Sequence, residues 1–339
     1  MTRDAAVVGA GLAPARAPRA IRAGERIHVV GAAGAGASAA ALLAYHAGGS
    51  ATGCDAGGPS PYSAALEVAG IPLAWAHDPG HVTASPRPER LAVTKALTAV
   101  APDHPELVAA RDAGIPLEPW QQVVADAATD RRLVGIAGTH GKSTSAGWLV
   151  HLLVAAGADP SAFVGALLPA ELTGVPATAR WGRGRAFVVE ADEYAGNFDA
   201  YRPSVALVTS AEWDHPDVFA DRAAVVDAFE AWLRRAAGGG AGESPAVLVV
   251  NVGDAGAAEL ASRLSDWPGR VVATTLLDTA PQRIGSFVRG IGEQYTTAAG
   301  RATSVIGRVT RADATGTTLE VHGLDALAGP TVVRLPTAG

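Results

Sequence analysis

The sequence predicts an α/β protein in two main parts, with a small antiparallel β element near its end. Three observations carry that expectation. A strand, a glycine-containing turn and a helix follow one another twice, first from Arg26 and again from Leu133. Between and after these units, short apolar runs alternate with helical stretches, as parallel strands joined by helices require. From about Gln294 the apolar period shortens to two, the spacing of antiparallel strands.

Bulk properties narrow the function classes. A chain of 339 residues, 48% hydrophobic and 18% charged, is large enough for two cores. It has no apolar run of the ~18 residues needed to cross a bilayer. Its net charge of −6 gives no general attraction to nucleic acid or anionic membrane, so neither is expected as a partner. Any phosphate binding must be local. A single cysteine, Cys54, rules out an internal disulfide and a multi-cysteine zinc site. It suits a cytoplasmic protein and reads as a small buried residue at a strand end.

Residues 1–25 contain several arginines but no continuous hydrophobic segment with a clean cleavage site, so a loose extension is expected, not a signal peptide. Arg26 to Gly31 then forms a strand, Ala35 to Ala47 a helix ended by Gly48 and Gly49, and Ala51 to Cys54 a second strand. The intervening turn carries Gly31, Gly34 and Gly36 before Ser38, and its glycines permit close approach of a diphosphate to the helix N-terminus. Asp55 stands where a ribose-binding acid sits in dinucleotide folds. A nicotinamide-dependent oxidoreductase is one reading, but the glycine spacing departs from G-x-G-x-x-G. Glycines that only ease helix–strand packing are another.

Shorter units continue to residue 125, with a helix at 60–69 and strands at 71–75, 91–94 and 115–117. A helix spans Pro105 to Asp112. His77, His81 and His104 stand beside Pro and Asp and read as surface turn residues, and Lys95 as an exposed loop residue. Asp130-Arg131-Arg132 closes a short polar helix near the expected domain junction, placed between 125 and 126.

The second unit is the more informative. A strand at Leu133 to Ala137 runs into Gly138-Thr139-His140-Gly141-Lys142-Ser143-Thr144 and then a helix to about Ala156. Such a turn gathers backbone N–H groups and a helix N-terminus around a phosphate, with Lys142 for the β and γ phosphates and Ser143 for Mg²⁺. Ile136 stands where the full P-loop pattern has glycine, so the fit is to the shorter GTxGK[ST] form. The chain has only two lysines, Lys95 and Lys142, against 25 arginines. Retaining the compact ammonium between Gly141 and Ser143 suits a tight phosphate cradle.

Two further strands, Ala186 to Glu190 and Val205 to Thr209, end in acidic clusters. These are Glu190-Ala191-Asp192-Glu193-Tyr194 and Glu212-Trp213-Asp214-His215-Pro216-Asp217. Carboxylates leaving a parallel sheet at the edge that holds the phosphates are what a Mg-nucleotide site needs. Ala223 to Arg235 is an amphipathic helix whose stripe packing alone explains. A flexible loop is expected at 238–242, strands at 246–251 and 270–274 around a helix near 255–264, and antiparallel strands at 304–310, 317–321 and 331–335.

The Gly-rich turn 31–38, GTHGKST at 138–144, VVEADEY at 188–194 and the Asp214-His215 pair together resemble the Mur ligase family, from about Arg26 to Gly339. The resemblance implies a Rossmann-like UDP-sugar-binding domain (26–125), a central ATP-binding domain (126–339) and a C-terminal ligase domain expected to be absent from this chain, with little turnover without it. It implies ATP and Mg²⁺, formation of an acyl phosphate on UDP-N-acetylmuramate, and attack by an amino acid, L-alanine, or a short peptide in cell-wall precursor synthesis. Recycling of murein tripeptide, or nucleotide binding without catalysis, are the alternatives. By the same resemblance Lys142 meets the γ-phosphate within the loop Gly138 to Thr144. Ser143 and Glu190 hold one Mg²⁺, and His215 a second. Gly31, Gly34, Gly36 and Ser38 carry the diphosphate. Ala33, Ala39, Ser210 and Thr94-Lys95-Ala96-Leu97 depart from the family's usual residues.

Overall fold

The computed structural model describes residues 8–237, 246–277, 281–324 and 329–336. Residues 1–7 of the extension, the loop expected at 238–242 and residues 337–339 lie outside them. The described chain divides into two compact units, one from Met1–Ile136, Gly141–Pro203 and His215–Ala220, the other from Ala137–His140, Ser204–Asp214 and Asp221–Gly339. This division does not follow the expected boundary after residue 125, which falls inside a helix.

The first unit opens with β1 (Arg26–Val30), α1 (Ala35–His46), β2 (Ser50–Cys54), α2 (Ala64–Val68), β3 (Leu73–Ala74), α3 (Gly80–Thr83) and β4 (Arg90–Val93). It continues with α4 (Lys95–Val100), α5 (Pro105–Asp112), β5 (Leu117–Pro119) and α6 (Trp120–Ala127). The strands form a sheet in the order β3-β2-β1-β4-β5, parallel throughout. A parallel sheet covered by helices on both faces needs strands apolar on both sides. Accordingly, every residue of β4 is buried, as is β1 after Arg26.

Arg90 is the exception that proves costly to bury and is therefore paired. Its guanidinium lies 3.1 Å from Glu25, 2.8 Å from Glu118 and 2.5 Å from Asp126. Arg16 joins the same group, 3.0 Å from Glu118 and 2.7 Å from Asp126. Residues 8–25 are thus not loose. The Ala13 N–H donates to Leu117 O, Ile21 is buried, and Arg19 pairs with Glu25. Net charge and missing apolar periodicity hid an extension held by ion pairs.

The same unit then carries β6 (Arg132–Ala137), α7 (Lys142–Ala155), β7 (Ser161–Leu168), α8 (Ala170–Thr173), β8 (Ala177–Arg180) and β9 (Ala186–Ala191). Their order is β6-β9-β7-β8. β7 runs parallel to β9 and antiparallel to β8. A 3₁₀ segment follows at Tyr194–Ala200, broken where Ala195 and Gly196 take positive φ.

The second unit contains β10 (Val205–Val208), α9 (Arg222–Ala237), β11 (Val247–Asn251), α10 (Ala255–Arg263), β12 (Val271–Leu276), α11 (Pro281–Gln294), β13 (Thr303–Asp313), β14 (Gly316–His322) and β15 (Thr331–Leu335). β10 to β13 are parallel neighbours with helical crossovers, and β13, β14 and β15 pair antiparallel. The shift to period two near residue 294 marks this change. Asp254 caps α10 by accepting the Ala257 N–H and also takes the Ala211 N–H.

Candidate active site

In the first unit β6 delivers the chain to the start of α7, where Gly141 takes φ +79° and lets the helix begin at Lys142. The Lys142 ammonium lies 3.0 Å from Glu193 Oε2 and 4.0 Å from Asp192 Oδ1. One residue on, the Ser143 hydroxyl donates to Glu190 Oε1 at 2.9 Å. Glu190 Oε2 accepts the Gly165 N–H at 2.7 Å, an approach that the missing side chain on Gly165 permits. The carboxyl end of β9 therefore meets the N-terminus of α7.

His215 reaches the same group from a separate stretch of chain. One ligand atom each from Asp192, Glu193 and His215 fall within 4.8 Å of one another. His215 holds φ +53°, and its ring packs edge-on against Tyr194 with centroids 4.9 Å apart. Tyr194 in turn donates its hydroxyl to Asp217 at 3.0 Å. Glu193 is 1% exposed and its Oε1 has no hydrogen-bond partner. Burial pushes its carboxyl above the usual range, and Lys142 beside it offsets this only in part. Asp192 and Glu193 were expected only as members of the acidic cluster after this strand, with no role of their own. Their place in the EADE run beyond a strand end was the available signal.

A cavity of about 230 Å³ opens beside these groups, lined among others by Gly36, Trp120, Lys142, Phe163, Glu190 and Tyr201. Gln121 and Asn197 also line it, and each has a buried carbonyl oxygen with no hydrogen-bond partner. Such orphaned acceptors are expensive in a finished protein interior and common where a ligand binds. The cavity thus brings together the first turn of α1 and the lysine that opens α7. Trp120 and Tyr201 carry no sequence signal for this role.

The turn at 31–38 is more fully engaged than expected. Gly31 has φ +80°, and Gly31 and Ala32 donate to Cys54 O. Asp55 accepts N–H groups from Ala33 and Gly57, so it braces the turn. Ser38 is 2% exposed, and its hydroxyl donates to Ala35 O and meets Thr178 Oγ1. A Cβ on Gly36 would overlap the Trp120 ring. Packing explains Gly36 and Ser38, whereas Gly34 is exposed at the cap of α1.

Within the second unit, Gly138, Thr139 and His140 lie against the chain after β10. A Cβ on Gly138, at φ +141°, would strike Thr209. Thr139 exchanges hydrogen bonds with the Glu212 backbone, and the His140 N–H donates to Ser210 Oγ at 3.0 Å. Ser210 therefore takes one N–H of the phosphate-type loop. Thr144 is exposed on α7. Lys95, expected on an exposed loop, is part-buried in α4 and donates to Ala195 O at 2.7 Å. Burial lowers its pKa from the usual lysine value.

Residues 26–132 match the model for the Mur ligase family, catalytic domain. Over 230 residues the chain is 38% identical to a UDP-N-acetylmuramate–L-alanine ligase of Frankia casuarinae, covering 67% of this chain and 45% of that protein. The protein of that name in Mycobacterium tuberculosis is 33% identical over 323 residues, with coverage of 92% and 62%. The chain spans less than two thirds of the length of these curated relatives. Among solved structures, a UDP-N-acetylmuramate:L-alanyl-gamma-D-glutamyl-meso-diaminopimelate ligase from Neisseria meningitides superposes with a TM-score of 0.70 at 23% identity, covering 94% of this chain and 89% of that one. A UDP-N-acetylmuramate-alanine ligase from Thermotoga maritima gives 0.68 at 21% identity, with 93% and 61% covered. These two share the fold. Over the residues so matched, the chain belongs to the Mur ligase family.

Proposed function

We propose that this chain binds UDP-N-acetylmuramate and Mg-ATP as the corresponding part of a ligase that joins L-alanine to the sugar's carboxylate through an acyl phosphate. The observation that carries the reading is the single cavity lined by Gly36, Lys142 and Glu190. It supports a sugar-borne acid and a nucleotide meeting at one place. The relatives named UDP-N-acetylmuramate–L-alanine ligase support the choice of sugar and amine.

The residues have matching roles. Lys142, now held by Glu193, turns to the transferring phosphate. The loop from Gly138 to Thr144 wraps the phosphates. Ser143 and Glu190, a hydroxyl and a carboxylate 2.9 Å apart, are hard oxygen donors of the kind Mg²⁺ selects. Asp192, Glu193 and His215 form a second position for a divalent ion. Bound there, Mg²⁺ offsets the repulsion between an anionic carboxylate and an anionic phosphate. Gly31 and Gly34 let the UDP diphosphate approach the N-terminus of α1, with Asp55 holding the turn in shape.

Calorimetric titration of Lys142→Ala tests the reading. Mg-ATP binding is expected to vanish while UDP-N-acetylmuramate binding stays. An unchanged ATP affinity would defeat the assignment. Ligation with L-alanine and the tripeptide offered in competition then reports the amine.

A further inference from the structure

A second cluster of reactive side chains lies in the first unit, outside the cavity, and the proposed ligase function makes no use of it. His28 stands on β1, Cys54 at the end of β2, His77 and His81 around the start of α3, and Glu106 in the first turn of α5. All converge on the Glu106 carboxylate. Cys54 Sγ is 3.0 Å from Glu106 Oε2, His28 Nε2 is 3.3 Å from both Cys54 Sγ and Glu106 Oε2, and His81 Nδ1 is 2.9 Å from Glu106 Oε1. His77 Nδ1 is 3.3 Å from the same sulfur. His28 is 3% exposed and Cys54 and Glu106 are fully buried, whereas His77 and His81, expected as surface turn residues, are half-buried.

We propose that His28, Cys54, His81 and Glu106 form a binding site for a transition-metal cation of the zinc class. One ligand atom from each lies within 4.8 Å of the others. Tetrahedral Zn²⁺ with bonds of about 2.0–2.3 Å separates its ligands by roughly 3.3–3.6 Å. The separations of 3.0–3.3 Å among the thiol, His28 and the carboxylate are close to those edges. Imidazole and thiolate are borderline or soft donors, which favour Zn²⁺, Co²⁺ or Ni²⁺ over Mg²⁺.

Two further features fit. Thr52 Oγ1 is 2.8 Å from His28 Nδ1 and fixes the ring with Nε2 toward the cluster, as outer partners of metal-bound histidine do. His104, packed edge-on to His77 with centroids 4.3 Å apart, is 6% exposed, and neither of its ring nitrogens has a hydrogen-bond partner. The interior here holds more imidazole than its own hydrogen bonds satisfy.

Four protein ligands describe a closed, structural site. Cys54 O accepts the N–H groups of Gly31 and Ala32, so an ion on Cys54 Sγ fastens the end of β2 to the turn before α1. On binding, the sulfur–metal bond forms as the thiol proton leaves to solvent. A cluster joined by protons alone would use the same side chains, and cobalt spectroscopy separates the two.

The chelator-treated chain is titrated with Co²⁺ and followed by its sulfur-to-cobalt charge-transfer absorption. Cys54 is the sole cysteine, so the band reports this site alone. Co²⁺ held by Asp192, Glu193 and His215 has no sulfur ligand and produces none. The band is expected to saturate at one ion per chain and to bleach when Zn²⁺ displaces Co²⁺. His81→Ala should weaken binding at least ~10-fold by the same readout, because even outer partners are worth about 10–100-fold. Absence of the band from the unmodified chain at saturating Co²⁺ overturns the proposal, whatever the variant does. So does an affinity unchanged in His81→Ala. Neither result bears on nucleotide binding.

Discussion

Lys142 Nζ sits 3.0 Å from Glu193 Oε2, an ion pair in which the carboxylate is 1% exposed and the ammonium reaches the wall of the cavity. The lysine is thus held in position before any phosphate arrives, and its partner has a second oxygen with nothing to bond.

Replacing Lys142 by Ala leaves the Glu193 carboxylate buried and uncompensated. Removing one partner of a buried pair costs about 3–5 kcal/mol, and the partial exposure of Lys142 reduces this to roughly 2 kcal/mol. Denaturant titration should show that loss alongside the loss of Mg-ATP binding. Glu193→Gln should recover most of the stability in the double variant and none of the nucleotide binding.

Gly36→Ala forces a methyl into the Trp120 ring. Overpacking of this kind costs about 1–3 kcal/mol. Trp120→Leu in the same chain should return part of it, because the two sites couple directly. A melting temperature unmoved by Gly36→Ala would show that the ring yields without strain.

Gly138→Ala combines a φ of +141° with contact against Thr209. A penalty of about 2 kcal/mol or more is expected. Thr209→Ala should relieve the contact but not the backbone strain, so hydrogen–deuterium exchange in residues 137–140 should stay elevated in the double variant.

Acid stability should report the ion pairs around Arg90. The Arg19 hydrogen bond, opposed by burial, leads the interactions that lower the Glu25 carboxyl from 4.5 to about 2. A folded-state pKa below the unfolded value stabilises fully above the unfolded value and loses that contribution as pH falls through the folded one. Wild type should therefore lose stability between pH 4.5 and about 2, and Glu25→Gln should lose less across that window. Equal slopes in the two proteins would remove Glu25 from the account.

Much of this architecture was legible because period and punctuation agree. The βαβ unit from Arg26, the strand before GTHGKST and the apolar runs at 186–190 and 205–209 all emerge within a few residues of their expected bounds. The Ser143–Glu190 contact follows from the same logic, since Ser143 opens the helix after β6 and Glu190 lies at the end of the neighbouring β9. Other parts depend on partners distant in sequence. β8 (Ala177–Arg180) is made of small and polar residues and is a strand only because β7 accepts it antiparallel. α11 carries Gly285, Gly290 and Gly292, which depress helix propensity. No local pattern tells that Trp120 meets Gly36, or that Arg16 reaches Asp126 across 110 positions.

The buried Cys54 makes the first sheet its own stopwatch. Its thiol is sealed behind Glu106 and two imidazoles, so a thiol-directed reagent reacts only during excursions that move these groups off it. With no other sulfhydryl in the chain, the labelling rate measures how often that layer breathes. A UDP-sugar seated on the turn above should slow it, and nucleotide alone should leave it unchanged.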